Sequence, residues 1–256
     1  MQELVLTFEA ILLVSLRVVP TLAFAAPFTL LRIPPLIRIL VGLALALVLV
    51  GGRQGEILAA LAAGSSLVTI AAGELLIGGA IALCLQLAFG AILWAGGAVD
   101  IQAGFGLAMV ADPTTQAQMP LAGTIFVYAA AAVFCGMGGM FDLLALWSAS
   151  LDILPFAAST GSLNPVALAM LLSAVFLIAT GLFGLVMLVI FLLDVAIAFM
   201  SRTLPQMNVL LLGFQIKSMA MLVTLPITVA ISGALILRLL RIALETAPGL
   251  VVSGSA

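Results

Sequence analysis

The chain has 256 residues, 65% of them hydrophobic and 7% charged, with a mean hydropathy of +1.43. A soluble domain of this length could not carry so much apolar surface, so the sequence describes an integral membrane protein. The formal charge of −2 offers no basic surface for nucleic acid, and the absence of histidine removes the commonest metal ligand and general acid or base. Neither a cofactor nor an enzymatic role is expected.

Apolar blocks separated by Pro, Gly and charge suggest about six helices, several of them broken or bent hairpins, with no gap wide enough for a soluble domain. The first block, Leu4 to Phe24, holds Arg17 and is expected to close at Pro20 and Pro27. Glu3 and Glu9 precede any cation, which is wrong for a signal peptide, so the segment is expected to be retained as a membrane helix. Arg17 is either a buried cation awaiting a partner or a side chain that snorkels to the helix end. Leu31 to Arg38, with Pro34-Pro35, reads as a turn; Ile39 to Val50 is short for a span and ends in the turn residues Gly51 to Glu56. The run Leu67 to Ala95 carries Glu74 among glycines and small residues that allow close helix packing.

The longest polar interruption runs from Gly96 to Pro120 and contains Asp100, Gly104-Phe105-Gly106, Met109, Asp112-Pro113 and Met119. Glycine on both sides of Phe105, and proline after Asp112, predict a loop. Such backbone is tolerated in a membrane only inside protein or beside a wet cavity. Gly104 and Gly106 could serve as hinges with Phe105 and Met109 as a seal and Met119 as a further soft contact, although simple core filling is the commoner role of any one methionine. Asp112 fits local turn hydrogen bonding, while Asp100 and Glu74 could equally relay protons or meet partner cations. Gly104-Phe105-Gly106 lacks the third glycine and the strand of a dinucleotide fingerprint. Cys84 and Cys135 read as packing residues.

Beyond the loop, Leu121 to Met140 is apolar, and Asp142, Asp152 and Pro155 mark an amphipathic segment and a turn. Asn164-Pro165 predicts a capped start for one long helix, Val166 to Met200, with Gly181 and Gly184 as bend points. The last block, Met207 to Ile242, is expected to break at Pro226, and Gly249 to Ala256 reads as a frayed tail with no appended domain. Lys217 sits in that block and needs a carboxylate or carbonyl partner. Six alternating spans would place three arginines on each side, so the positive-inside rule assigns no orientation. Short blocks, proline breaks and buried charges together point to a helix assembly largely covered by protein partners.

Four stretches taken together resemble the FliR family of the type III export apparatus: Arg17-Val18-Val19-Pro20, Glu74-Leu75-Leu76-Ile77-Gly78, Asp100 to Pro113, and Pro205-Gln206-Met207-Asn208-Val209 through Gly213-Phe214-Gln215-Ile216-Lys217. The chain departs from the family pattern at Leu210, usually aromatic, and at Gln215, usually proline. Asp112-Pro113-Thr114-Thr115 and Leu212-Gly213-Phe214 look more like the flagellar branch than the virulence injectisome branch.

The resemblance implies an all-α membrane subunit similar to a FliP-like part, residues 1–200 with a plug loop at 97–120, fused to a FliQ-like hairpin and tail at 201–256. It further implies assembly with FliP-like, FliQ-like and FlhB-like subunits in the flagellar basal body of the bacterial inner membrane. Segment 104–120 would close a pore for unfolded flagellar proteins, with Gly104, Phe105, Gly106, Met109, Asp112, Pro113 and Met119 as gate residues. Arg17, Glu74, Asp100, Pro205, Asn208, Gly213, Phe214 and Lys217 would supply buried charge or partner contacts. Two other classes share some of these features. A small-solute secondary transporter has broken helices and buried carboxylates, but no internal repeat is evident here. A structural scaffold would need no gate loop.

Overall fold

The computed structural model describes residues 2–30, 32–62, 66–105, 120–157, 162–203 and 209–252. Among them are ten α-helices: α1 (Gln2–Phe24), α2 (Pro35–Gly52), α3 (Gln54–Ala62), α4 (Leu67–Gln102), α5 (Leu121–Gly136), α6 (Gly139–Ile153), α7 (Pro165–Leu182), α8 (Gly184–Thr203), α9 (Val209–Ile231) and α10 (Gly233–Thr246). A two-residue antiparallel pair, β1 (Ser162–Leu163) with β2 (Val251–Val252), is the one departure from an all-helical chain among these residues. Six helices, α1, α2, α4, α7, α8 and α9, are long and apolar enough to cross a membrane, and α5 with α6 forms a pair bent by 70°.

The helices group into two compact units. The first gathers Met1–Leu87, Phe134–Ala174 and Leu240–Ala256; the second gathers Ala88–Val133 and Val175–Leu239.

In the first unit α1 and α2 pack as a hairpin whose turn is fastened by Arg38. Its guanidinium donates to the carbonyls of Ala23, at 2.6 Å, and Ile33, at 3.1 Å, capping the end of α1 with a cation as the helix dipole favours. Helix α2 begins at Pro35, four residues before the expected block, because proline at the first helical position loses no hydrogen bond. Beyond Gly52 the chain turns at Arg53 and resumes as α3. Arg53 pairs with Asp152 and donates to the Ser148 carbonyl, tying this turn to α6. The hydrogen bond that Arg53 donates to the Asp152 carboxylate holds the Arg53 pKa above its ordinary value.

Helix α1 does not close at Pro20; it continues to Phe24. Proline at position 20 frees the Leu16 carbonyl four residues earlier, and Gly78 of α4 lies against that carbonyl, where a Cβ would come within 2.5 Å of it. Asn164 caps α7 as its sequence implies: its Oδ1 accepts from the amides of Val166, at 3.0 Å, and Ala167, at 3.2 Å.

The second unit corrects two expectations. The apolar run 166–200 is not one helix but two, α7 and α8, parted at Phe183, whose buried ring packs on Phe126 at 4.5 Å between centroids. The overlong helix is α4 instead, 36 residues and roughly 54 Å at about 1.5 Å per residue. Pro226 likewise fails to break α9, which runs on to Ile231. The hydroxyls of Thr224 and Thr228 bond to the carbonyls of Ala220 and Thr224 beside the proline, and the break falls at Ser232. Of the cysteines, Cys84 is buried and Cys135 is exposed, so only the former is a packing residue within the chain.

Because Gly78 meets rigid backbone, Gly78→Val is expected to cost about 1–3 kcal/mol through overpacking. Gly79→Ala, with no atom within 4 Å, should be neutral. Thermal unfolding of the detergent-purified protein, with Gly79→Ala as the control, measures the difference.

Candidate functional site

Two groups of polar residues stand out against the apolar background, one in each unit. In the first, Arg17 is fully buried and Glu74 is 2% exposed. Arg17 Nε donates to Glu74 Oε2 at 2.6 Å and Nη2 to Oε1 at 2.8 Å, the fork-to-carboxylate geometry that makes such pairs strong. Nη1 donates to Ser150 Oγ at 3.2 Å, and both terminal nitrogens donate to the Leu154 carbonyl at 3.1 Å. All five guanidinium N–H groups thus find acceptors. Ser150 accepts from Arg17 and passes its own proton to the Trp147 carbonyl at 2.7 Å. The Ala157 backbone also bonds to Glu74, and Ala157 holds a positive φ of 63° to stay in that turn.

Arg17 therefore does not snorkel. It is a fastener joining α1, α4 and the end of α6. Glu74 serves as its counter-ion and Gly78, one turn on, admits the α1 backbone.

In the second unit the end of α4 is built around Asp100 and Gly104. The Gly104 amide donates to the Ile101 carbonyl at 3.1 Å and the Phe105 amide to the Asp100 carbonyl at 3.0 Å. This pattern, with Gly104 at φ 93°, is a Schellman cap. Gly104 is thus required as a helix terminator, a more specific role than a free hinge. The Asp100 side chain, 4% exposed, accepts from the Ala122 amide through both oxygens at 3.2 Å, and from Leu121. Pro120 precedes α5 and has no side-chain acceptor, so Asp100 of α4 caps α5 from outside and sits at the positive end of its dipole. Gly96 and Gly123 let the two helices touch backbone to backbone. Residues 96–100, at the end of α4, and 120–123, at the start of α5, are therefore held side by side and form a stem.

Helix α9 packs on this stem. The Phe214 ring occupies the space where a Cβ on Gly104 would lie, 2.5 Å from its Cδ1, and Ser218 Oγ lies 3.1 Å from the Ala103 carbonyl. Lys217 finds its carboxylate in Asp194 of α8, and Gly213 faces Ile197 of the same helix. Asp194 was not singled out by sequence. Its spacing from Lys217 crosses a helix break, and the signal that could have found it is simply that it is the one carboxylate in α8. Of the other expected gate or contact residues, Gly106, Met109, Asp112, Pro113, Met119, Pro205 and Asn208 lie outside the described residues. Phe105 is partly exposed at the end of the stem. Among the described residues no group of three or more His, Cys, Asp or Glu is gathered as a metal ion would need.

Residues 8–242 match the family model described as bacterial export proteins, family 1. Similar curated proteins are the flagellar biosynthetic proteins FliR of Bacillus subtilis (strain 168), 28% identical over 184 residues, of Escherichia coli (strain K12), 28% over 142, and of Pectobacterium carotovorum subsp. carotovorum, 27% over 158. These matches cover 68%, 55% and 59% of this chain, and 68%, 54% and 59% of the respective relatives.

Removing one partner of the buried pair, by Arg17→Met or Glu74→Leu, is expected to cost about 3–5 kcal/mol, whereas the double replacement should recover most of it. Unfolding midpoints of the three variants check this. Asp100→Asn keeps an acceptor for the Ala122 amide and should leave stability and any export activity nearly unchanged, while Asp100→Ala should lose about 0.5–2 kcal/mol. A proton-relay role for Asp100 would instead show as a loss of activity in Asp100→Asn at unchanged stability.

Proposed function

The chain belongs to the bacterial export proteins, family 1, and we propose that it is a non-enzymatic subunit of the flagellar type III export gate in the bacterial inner membrane. With FliP-like and FliQ-like subunits, and an FlhB-like neighbour, it would form the pore for unfolded flagellar proteins. Residues 1–200 would correspond to the FliP-like part and 201–256 to the FliQ-like part.

The observation that carries the reading is the stem in the second unit. Asp100, Gly104, Gly96 and Gly123 fix where the chain leaves α4 and re-enters α5, so residues 106–119 connect two pinned points. A plug needs such an anchor. Our assignment of the plug to 104–120 rests on this placement together with the family. A second support is surface chemistry. The apolar windows of α8 and α9 are only 11% and 17% buried within the chain, against 56% for α4, so these helices present apolar faces to lipid or partner helices. The Lys217–Asp194 pair lies on those same helices, with the Asp194 side chain 48% exposed. Lipid would not tolerate it uncovered, and a partner subunit or a wet pore would.

The test replaces residues 106–119 by an equal length of Gly and Ser in the native host, with Phe105→Ala/Met109→Ala as a milder variant. The expected result is ion leakage across the inner membrane while FliP-like and FliQ-like subunits still co-purify. Intact, leak-free, export-competent complexes from both variants would contradict the plug and favour a scaffold. A partner-free chain that takes up small solutes into vesicles would favour the transporter.

A further inference from the structure

Of the stretch Gly213 to Ser218, only Lys217 enters the reading above. In α9, Phe214, Lys217 and Ser218 are spaced three and four residues apart and so share one face. Two of them meet the terminal turn of α4. The Phe214 ring fills the space left by the missing Cβ of Gly104. The Ser218 hydroxyl lies between two acceptors, the Ala103 carbonyl at 3.1 Å and the carbonyl of Phe214, one turn back in its own helix, at 2.8 Å. It has a single proton and can donate to only one of them at a time. The third residue, Lys217, holds α9 to Asp194 of α8.

We propose that Phe214 and Ser218 are positioning residues that clamp the end of α4 and thereby set the resting position of the plug stem. Lys217 and Asp194 keep the clamp face of α9 in register. The clamp is releasable for a chemical reason. When the stem moves away, Ser218 keeps its bond to the Phe214 carbonyl, so no buried donor is orphaned. The apolar contact of the ring is non-directional, so breaking it leaves no polar group unpaired. Its hold on the stem comes from Gly104, because a side chain there would exclude the ring. This inference rests on the plug reading and adds a residue-level control to it.

The test measures ion leak and recovery of co-purified subunits in the native host for Phe214→Ala, Phe214→Leu and Ser218→Ala. Each is made alone and in the background where 106–119 is Gly/Ser. Phe214→Ala is expected to raise the leak about tenfold, the population shift that accompanies loss of a contact of this size. Phe214→Leu should restore most of the closure, and Ser218→Ala should give a smaller rise. In the Gly/Ser background Phe214→Ala should add nothing, since no plug remains to position.

An unchanged leak in both Phe214→Ala and Ser218→Ala with assembled complexes would overturn the clamp. So would an equal fold-rise in the two backgrounds, which would mark a structural fault elsewhere in the pore. If Phe214→Ala fails to assemble, Ser218→Ala, which removes only the hydroxyl, decides alone. Failure of the plug reading itself is distinct: the Gly/Ser replacement alone would then leave no leak.

Discussion

A fully buried guanidinium is the constraint on which the first unit depends. Arg17 in an apolar helix is costly unless every N–H finds an acceptor and its charge finds a counter-ion close by. Glu74 meets the charge in a bidentate pair, and Ser150 and the Leu154 carbonyl take the remaining donors. To bring α1 that close, α4 must present glycine at position 78, and α6 must end where its last carbonyls point inward. One side chain thus fixes the approach of three helices that are distant in sequence. In a bilayer, where apolar side chains gain little by leaving lipid for each other, such polar fasteners and close backbone contacts set which helices pair.

The second unit solves a different problem with the same chemistry. Two helices must stop and restart at one place without leaving bare backbone groups. A Schellman cap at Gly104 ends α4, and Asp100, still within α4, supplies the acceptor that Pro120 cannot give to α5. Asp100 thereby serves two helices through two different groups, its carbonyl to the cap and its carboxylate to the start of α5. The ionisable residues Arg17, Glu74 and Asp100, which look like chemistry in a linear reading, all find partners within the chain. The proposed gate therefore draws on this stem as an anchor and on the α9 face that leans on it.

Composition and hydropathy were enough to read a membrane protein of about six apolar helices, and the Asn164-Pro165 cap could be placed to the residue because its signal is local. Proline was the poorest guide. Pro20 and Pro226 look like breaks in one dimension, yet both lie inside continuous helices. The break at Phe183 falls between Gly181 and Gly184, the bend points the sequence offers, and the break at Ser232 lies beside Gly233. Arg17 and Glu74 could each be suspected singly, but their pairing spans 57 positions and was not legible without the fold. Asp194 and Ser218 were missed for the same reason. The family resemblance in the Arg17, Glu74, Asp100 and Gly213–Lys217 stretches marked where to look, and most of those residues proved to be fasteners within the chain.

Hydrogen–deuterium exchange on the chain in its native complex tests the held stem most directly. Peptides covering 99–105 and 120–125 should exchange as slowly as the interior of α4 in the resting state. That protection arises from the Schellman cap, the Asp100 bonds to α5 and the α9 contacts, and it requires all three. Rapid exchange in both peptides, with the rest of α4 protected, would show that the stem is not held and would remove the anchor on which the gate reading stands.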